Sequence, residues 1–153
     1  YNKDKPRADA FDGFPFYPLD ESWYLKAQFV PNTDSTTITV DNVLGERLER
    51  YSPGTVLFER NGIRHSLVAF ESRSGLFLIF ADPTNRTETY QAGRYMIIPF
   101  PDEDGNTIID FNKAYNPPCA FNTFTTCQLP PPQNRLDMAV EAGEKRPVEW
   151  EGI

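Results

Sequence analysis

Trp23, Leu25, Ala27 and Phe29 occupy every second position, with Tyr24, Lys26 and Gln28 between them. That two-residue period belongs to a half-buried strand, since a helix brings residues three and four apart onto one face. The period returns at Thr36–Asp41, where Ile38 and Val40 share a side and a run of threonines suits a pleated surface. In Thr55–Phe70 two alternating runs flank Asn61-Gly62, the pair that supplies both positive-φ residues of a tight type I′ turn, which predicts a hairpin. Leu76–Phe80 is continuously apolar between Gly75 and Asp82-Pro83, as expected of a central strand covered on both faces. Arg94–Pro99 and Thr107–Phe111 flank Asp104-Gly105 and read as a second hairpin. Arg135–Glu141, with Leu136, Met138 and Val140 on one side, reads as a closing strand. No window has sustained helical spacing, and 14 prolines punctuate the chain. The expectation is an all-β fold of seven to nine strands, an antiparallel β-sandwich or flattened β-barrel with long polar proline-rich loops and little helix.

At 153 residues the chain suits one domain, and 39% apolar with 14% aromatic residues is enough for a core. The expected division is an extended aromatic lead-in over 1–22 packed on the domain, a β domain over 23–145, and a tail over 146–153. A net charge of −7 and no basic run argue against nucleic acid, whose phosphates demand clustered Lys and Arg. The longest uninterrupted apolar run, Leu76–Ala81, is far short of the ~20 residues of a membrane-spanning helix. Because the chain opens on Tyr1, an upstream segment is expected to have been removed, which leaves both a secreted or envelope location and a cytoplasmic one open.

Two segments are neither clean strand nor ordinary loop. The first runs from Asp82-Pro83-Thr84 through Glu88-Thr89-Tyr90 to Gly93-Arg94-Tyr95. The second opens Asp110-Phe111-Asn112-Lys113-Ala114-Tyr115-Asn116-Pro117-Pro118-Cys119-Ala120 and runs to Asn134. Together with the aromatic opening near Phe11, these stretches resemble a bacterial and archaeal family catalogued as domain of unknown function 1684. The resemblance continues through Cys127-Gln128-Leu129-Pro130-Pro131, Asn134-Arg135-Leu136 and Ala142-Gly143-Glu144, covering about residues 11–145. Two departures stand out: Gln128 where that family usually has Pro, and Asn85-Arg86 where it usually has a small turn such as Ser-Gly. The resemblance implies no established reaction.

Physical chemistry supplies the candidates. Arg94 beside Tyr90 and Tyr95 offers a planar fork for a carboxylate or phosphate. Asp110, Asn112, Asn116 and Asn134 suit hydroxyl-rich ligands, and Asp82, Thr84, Thr89 and Tyr115 complete the candidate ligand-binding set. The competing reading is internal: Arg94 pairs with Glu88 or Asp110, and the asparagines satisfy backbone groups in loops that have no ladder partners. Cys119 and Cys127 fit a disulfide, a structural thiol pair or a nucleophile with its resolving partner. Closing that loop would contribute about 2.5 kcal/mol in the chain-entropy model.

Glu88 and Asp110 are weak catalytic candidates as paired carboxylates, which would require them within about 5–10 Å of each other. His65, the one histidine, reads as an exposed or edge-strand residue. One histidine and two cysteines fall short of the usual zinc sets, and no glycine-rich phosphate loop is present, so no metal and no cofactor are expected. Asn85-Arg86-Thr87 matches a glycosylation acceptor, and Asp102-Glu103-Asp104 reads as a solvated turn.

The function expected from these residues is a noncatalytic binding or assembly module with a polar surface around Arg94, Asp110 and Asn116, taking a small polar ligand or a protein partner. The alternatives are a hydrolase using Glu88 and Asp110, or an accessory subunit of a larger complex.

Overall fold

The computed structural model describes residues 15–122 and 125–147. Phe11 and Phe14 of the lead-in, and residues 148–153 of the tail, lie outside them. The fold is all-β and antiparallel. Among the described residues eight strands run in chain order: β1 (Tyr24–Pro31), β2 (Thr37–Asp41), β3 (Arg47–Tyr51), β4 (Gly54–Arg60), β5 (Ile63–Glu71), β6 (Leu76–Phe80), β7 (Arg94–Ile98) and β8 (Asn106–Asp110). Among the described residues, helix is confined to single 3-10 turns, at Glu21–Trp23, Phe111–Lys113, Pro118–Ala120 and Pro132–Asn134.

Six strands form one sheet in the order β7-β6-β5-β4-β1-β8, and β2 pairs with β3 in a separate ribbon. The sheet is a curled half-barrel, as the short link between its two edge strands requires. Six strands about 4.8 Å apart would span about 24 Å if flat. In the link from β7 to β8, however, Asp102 and Asn106 close a turn by a 3.0 Å backbone bond, and Gly105 at φ +83 lies within it. Residues 98–102 must therefore cover the distance, and four extended steps reach about 14 Å. The edges meet where the Thr107 hydroxyl donates to the Pro99 carbonyl at 2.6 Å.

This topology corrects the second predicted hairpin. Asp104-Gly105 does make a tight turn, but β7 pairs with β6 and β8 pairs with β1. The other hairpin is as predicted: Asn61 (φ +53) and Gly62 (φ +77) join β4 and β5 in continuous register from Gly54↔Ala69 to Arg60↔Ile63.

The inner face of the curl collects Trp23, Ala27, Val56, Phe58, Leu67, Leu78, Phe80, Met96 and Ile109 around Phe111. The Phe111 ring meets those of Trp23, Phe58 and Phe80 edge-on at 5.4–5.6 Å. The outer face of β5, β6 and β7 is covered by the β2–β3 ribbon together with Tyr115, Cys119 and Cys127, burying Val40, Phe70, Ile79, Tyr95 and Cys127. β6 is thus covered on both faces as expected. It is not central, however, because it stands one strand in from the β7 edge. His65 is half-buried and stacked on Phe58 at 5.3 Å, on a stretch of β5 that pairs with β4 but lies beyond the β5–β6 pairing at Phe70 and Glu71, so it is locally at an edge though not on the open surface.

The closing strand over Arg135–Glu141 is also corrected. Leu136 and Val140 are buried and Met138 is half-buried, while Arg135, Asp137 and Glu141 face solvent, so the alternation is real. Yet no ladder forms, and only Arg135 makes an isolated bridge, to Ala81. Of the lead-in, Pro15 and Tyr17 bond to the 143–145 backbone at 2.8 and 3.0 Å, while Leu19 stays 88% exposed.

Candidate functional site

Arg94 opens β7 in phase with Met96 and Ile98, so its side chain enters the same interior and is fully buried. Gly93 makes the entry possible: its φ is +90, and a Cβ there would fall 2.5 Å from the Phe80 carbonyl and 2.7 Å from Pro130. The guanidinium lies over the Phe80 ring at 5.3 Å and donates to the carbonyls of Val140 (2.9 Å), Ala142 and Glu144 (3.3 Å). Its ionic partner is Asp82 at 3.4 Å, with both side chains at zero exposure, rather than Glu88 or Asp110. Burial lowers the Arg94 pKa, and the Asp82 charge opposes that shift.

Asp82 is occupied in turn. One carboxylate oxygen accepts from the Val140 amide at 2.7 Å, the Thr84 hydroxyl at 2.8 Å and the Thr84 amide at 3.2 Å. The Thr84 hydroxyl lies 2.9 Å from that of Thr89, which also accepts from the Asn85 amide at 2.9 Å. The Asn85 carbonyl accepts from the Asp82 backbone at 2.9 Å, so both ends of the Asn85 side chain are held inside this loop.

Asn134, fully buried, acts at the second seam. The register Phe70↔Phe77 and Glu71↔Leu76 would place Val68 opposite Ile79 if it continued, but β5 and β6 part there. The Asn134 amide fills the gap, accepting from the Val68 amide at 2.7 Å and donating to the Val68 and Ile79 carbonyls at 2.9 Å each. A single side chain thereby replaces a rung of the ladder.

The other candidates divide between the ends of the 110–116 segment. Asp110 caps the 3-10 turn at Phe111–Lys113 by accepting from the Asn112 amide at 3.0 Å and its side chain at 2.9 Å. Asn112 also exchanges two bonds with the Asp20 backbone, at 2.9 and 3.1 Å. Asn116 donates to the Glu144 carboxylate and the Lys145 carbonyl, both at 2.9 Å, leaving its own buried oxygen without a partner. Arg94 and Asn116 therefore converge on Glu144, whereas Asp110 shares no partner with either. Glu88 is exposed and accepts from the Tyr17 hydroxyl, whose pKa is raised by burial and then by that carboxylate.

Tyr95 and Tyr115 bridge through their backbones, at 2.8 and 2.9 Å, and the Tyr95 hydroxyl donates to the Gln128 carbonyl at 2.9 Å. Burial pushes the Tyr95 pKa up to about 12 and raises those of Tyr90 and Tyr115. Cys119 and Cys127 form a disulfide against the outer-face core. Among the described residues no three His, Cys, Asp or Glu side chains cluster to hold a metal ion.

An open concavity of about 850 Å³ adjoins this network. The 81–92 loop forms one wall and residues 129–136 the other. Its polar lining is Asn85, Arg86, Gln91 and Arg135 together with the occupied Asp82, and its apolar lining includes Ala81, Leu129, Pro130 and Leu136. Neither Glu88 nor Asp110 lines it. Sequence reasoning missed Arg86, Gln91 and Arg135 as site residues, although Asn85-Arg86 was already conspicuous as the departure within the first motif.

The family model described as protein of unknown function (DUF1684) matches residues 9–145. The chain belongs to that family. A solved structure shares the DUF1684 chain's fold: the solution NMR structure of an uncharacterized protein from gene locus rrnAC0354 of Haloarcula marismortui. It is 30% identical, with a TM-score of 0.72 over 92% of this chain and 80% of that one. No curated protein matches this DUF1684 chain. Among its described residues, no helix is long and apolar enough to cross a membrane.

Proposed function

We propose that this protein is a noncatalytic binding module whose ligand-facing surface is the concavity between the 81–92 loop and the 129–136 segment. One observation carries the reading: Asp82 and Asn134 behind the concavity are spent on partners within the protein, whereas the side chains of Arg86, Gln91 and Arg135 that line it make no hydrogen bond among the described residues. Asp82 bonds at once to Arg94, Thr84 and Val140, and Asn134 stitches the 129–136 wall to β5 and β6. Walls held this way keep their shape without a ligand, which lowers the ordering cost of binding. In this reading Arg94, Asn116 and Asn134 are struts of the module, and the ligand is held by the rim above them. A small molecule with polar and apolar parts fits a lining of both kinds.

Amide chemical shifts recorded against a mixed set of small polar and apolar compounds test the proposal. The expected result is binding that shifts the Ala81, Gln91 and Ala92 amides, is lost in Gln91→Trp, and leaves every compound chemically unchanged. Turnover of a bound compound, or shifts confined to other surfaces, would overturn it.

A further inference from the structure

We infer that the ligand of this concavity is a small organic anion, a carboxylate or phosphate on an apolar body, gripped between Arg86 and Arg135. The inference rests on the binding-module reading above and names the chemistry that the site would select.

Three observations carry it. First, the charges in the lining are unbalanced. Arg86 and Arg135 both line the concavity and both are exposed. Among the described residues neither side chain makes a hydrogen bond, ion pair or ring contact. The one acid in the lining, Asp82, is neutralised by Arg94, and its carboxylate accepts only from Arg94, Thr84 and Val140, none of which lines the concavity. In a chain of net charge −7, two unpaired guanidiniums facing one depression are a local reversal of the molecule's field.

Second, Arg86 is held in place at a cost. Its φ is +79, in the left-handed region where a side chain is disfavoured and glycine is the usual occupant. The backbone is pinned there by the turn, with the Arg86 amide donating to the Thr89 carbonyl at 3.0 Å and the Thr89 amide to the Thr84 carbonyl at 3.1 Å. No contact of the guanidinium within the described residues offsets this strain. Strain without a folding return is the pattern of a residue kept for what it binds.

Third, the lining is apolar as well as charged. Ala81, Pro130 and Leu136 line the same concavity and are themselves buried, and Gln91 adds a neutral donor and acceptor. An anion with a hydrocarbon body would match both kinds of lining, because a planar guanidinium bonds carboxylate or phosphate oxygens in pairs. Inorganic phosphate would use the rim alone and bind more weakly.

The test is titration of the intact chain, followed by amide shifts, with benzoate, phenyl phosphate, inorganic phosphate and the neutral isostere benzamide. Benzoate or phenyl phosphate should perturb Ala81, Gln91 and Ala92, and whichever binds tighter identifies the head group. Benzamide should bind about tenfold more weakly, and Arg135→Gln and Arg86→Gly should each lower the anion affinity about tenfold, the loss expected of one charge-assisted bond. Arg86→Gly should also raise the thermal midpoint, because it releases the φ strain, so its loss of binding cannot be ascribed to misfolding. Equal binding of benzamide and benzoate at the same amides, or affinity unchanged in Arg86→Gly and Arg135→Gln, would overturn the anion inference and leave the binding-module reading standing. No perturbation at Ala81, Gln91 and Ala92 by any of the four probes would overturn both.

Discussion

The β4–β5 hairpin and the 134–145 segment carry the same two-residue alternation, but their backbones are satisfied by different means. In the hairpin, seven consecutive pairs from Gly54↔Ala69 to Arg60↔Ile63 satisfy one another, and the side chains are left free to pack. Along 134–145 backbone bonds occur only singly, to Ala81, Ala114, Pro15 and Tyr17 among others, and side chains supply the rest: Arg94 takes three carbonyls, Asp82 takes the Val140 amide, and Asn134 inserts between β5 and β6. The comparison teaches that alternation reports which side chains are buried and is silent on what pairs the backbone. Buried polar groups need partners of some kind. Where no neighbouring strand is available, an arginine with its five donors can serve as one.

The largest expected effect is at Arg94. Arg94→Met removes the donor to three carbonyls, those of Val140 and Ala142 among them buried, and strands the Asp82 carboxylate, so urea unfolding should show a loss of about 3–5 kcal/mol. Native-state hydrogen exchange should speed at the Val140 amide well before Leu67 in the hairpin. Equal acceleration at both would break the contrast between the regions. Adding Asp82→Leu should restore part of the loss, because no unpaired buried charge then remains.

Next comes Asn134→Ala, which orphans the Val68 amide and the Val68 and Ile79 carbonyls, for an expected loss of about 3 kcal/mol. It should loosen exchange at Val68 while leaving the β1–β4 pairing protected. An effect below 1 kcal/mol would mean that water closes the seam as well as the asparagine does.

The smallest effect sharpens the comparison through pH. Tyr95 holds its proton more tightly in the folded state than an ordinary tyrosine, with its pKa raised from 10.0 to about 12 mainly by burial. The folded state thus retains a proton that the unfolded chain has lost. The contribution of Tyr95 is full below pH 10 and disappears as pH climbs through about 12. Tyr95→Phe should cost about 1 kcal/mol at neutral pH through the lost bond to Gln128. It should also flatten the alkaline decline seen by denaturation between pH 10 and 12.

Much of this was legible in the residues, because the signals involved are local. The Asn61-Gly62 turn requires only two adjacent positive-φ residues, and the burial of Leu136, Met138 and Val140 requires only a period of two. The burial of Arg94 was legible too, since it shares the phase of Met96 and Ile98, but its planar head group in a polar motif drew the reading toward a ligand. The Arg94–Asp82 pair could not be read in the same way. It joins residues twelve positions apart across a loop, with Glu88 closer in sequence and as plausible a partner. The shared lining of Arg86 and Arg135 was illegible for a similar reason, since the two are far apart in sequence and the 135 segment reaches the 81–92 loop through the Ala81–Arg135 bridge.

By itself, then, the sequence determined the β class, the faces that are buried, the positions of the turns and the family. Each follows from spacing or from residue conformational preference, which act over a few residues at a time. Only the tertiary structure decided that β7 and β8 lie at opposite edges of one curled sheet, that Arg94 braces the chain, and that two unpaired arginines share a concavity. Those outcomes depend on how distant segments share space and charge, and no local period encodes that.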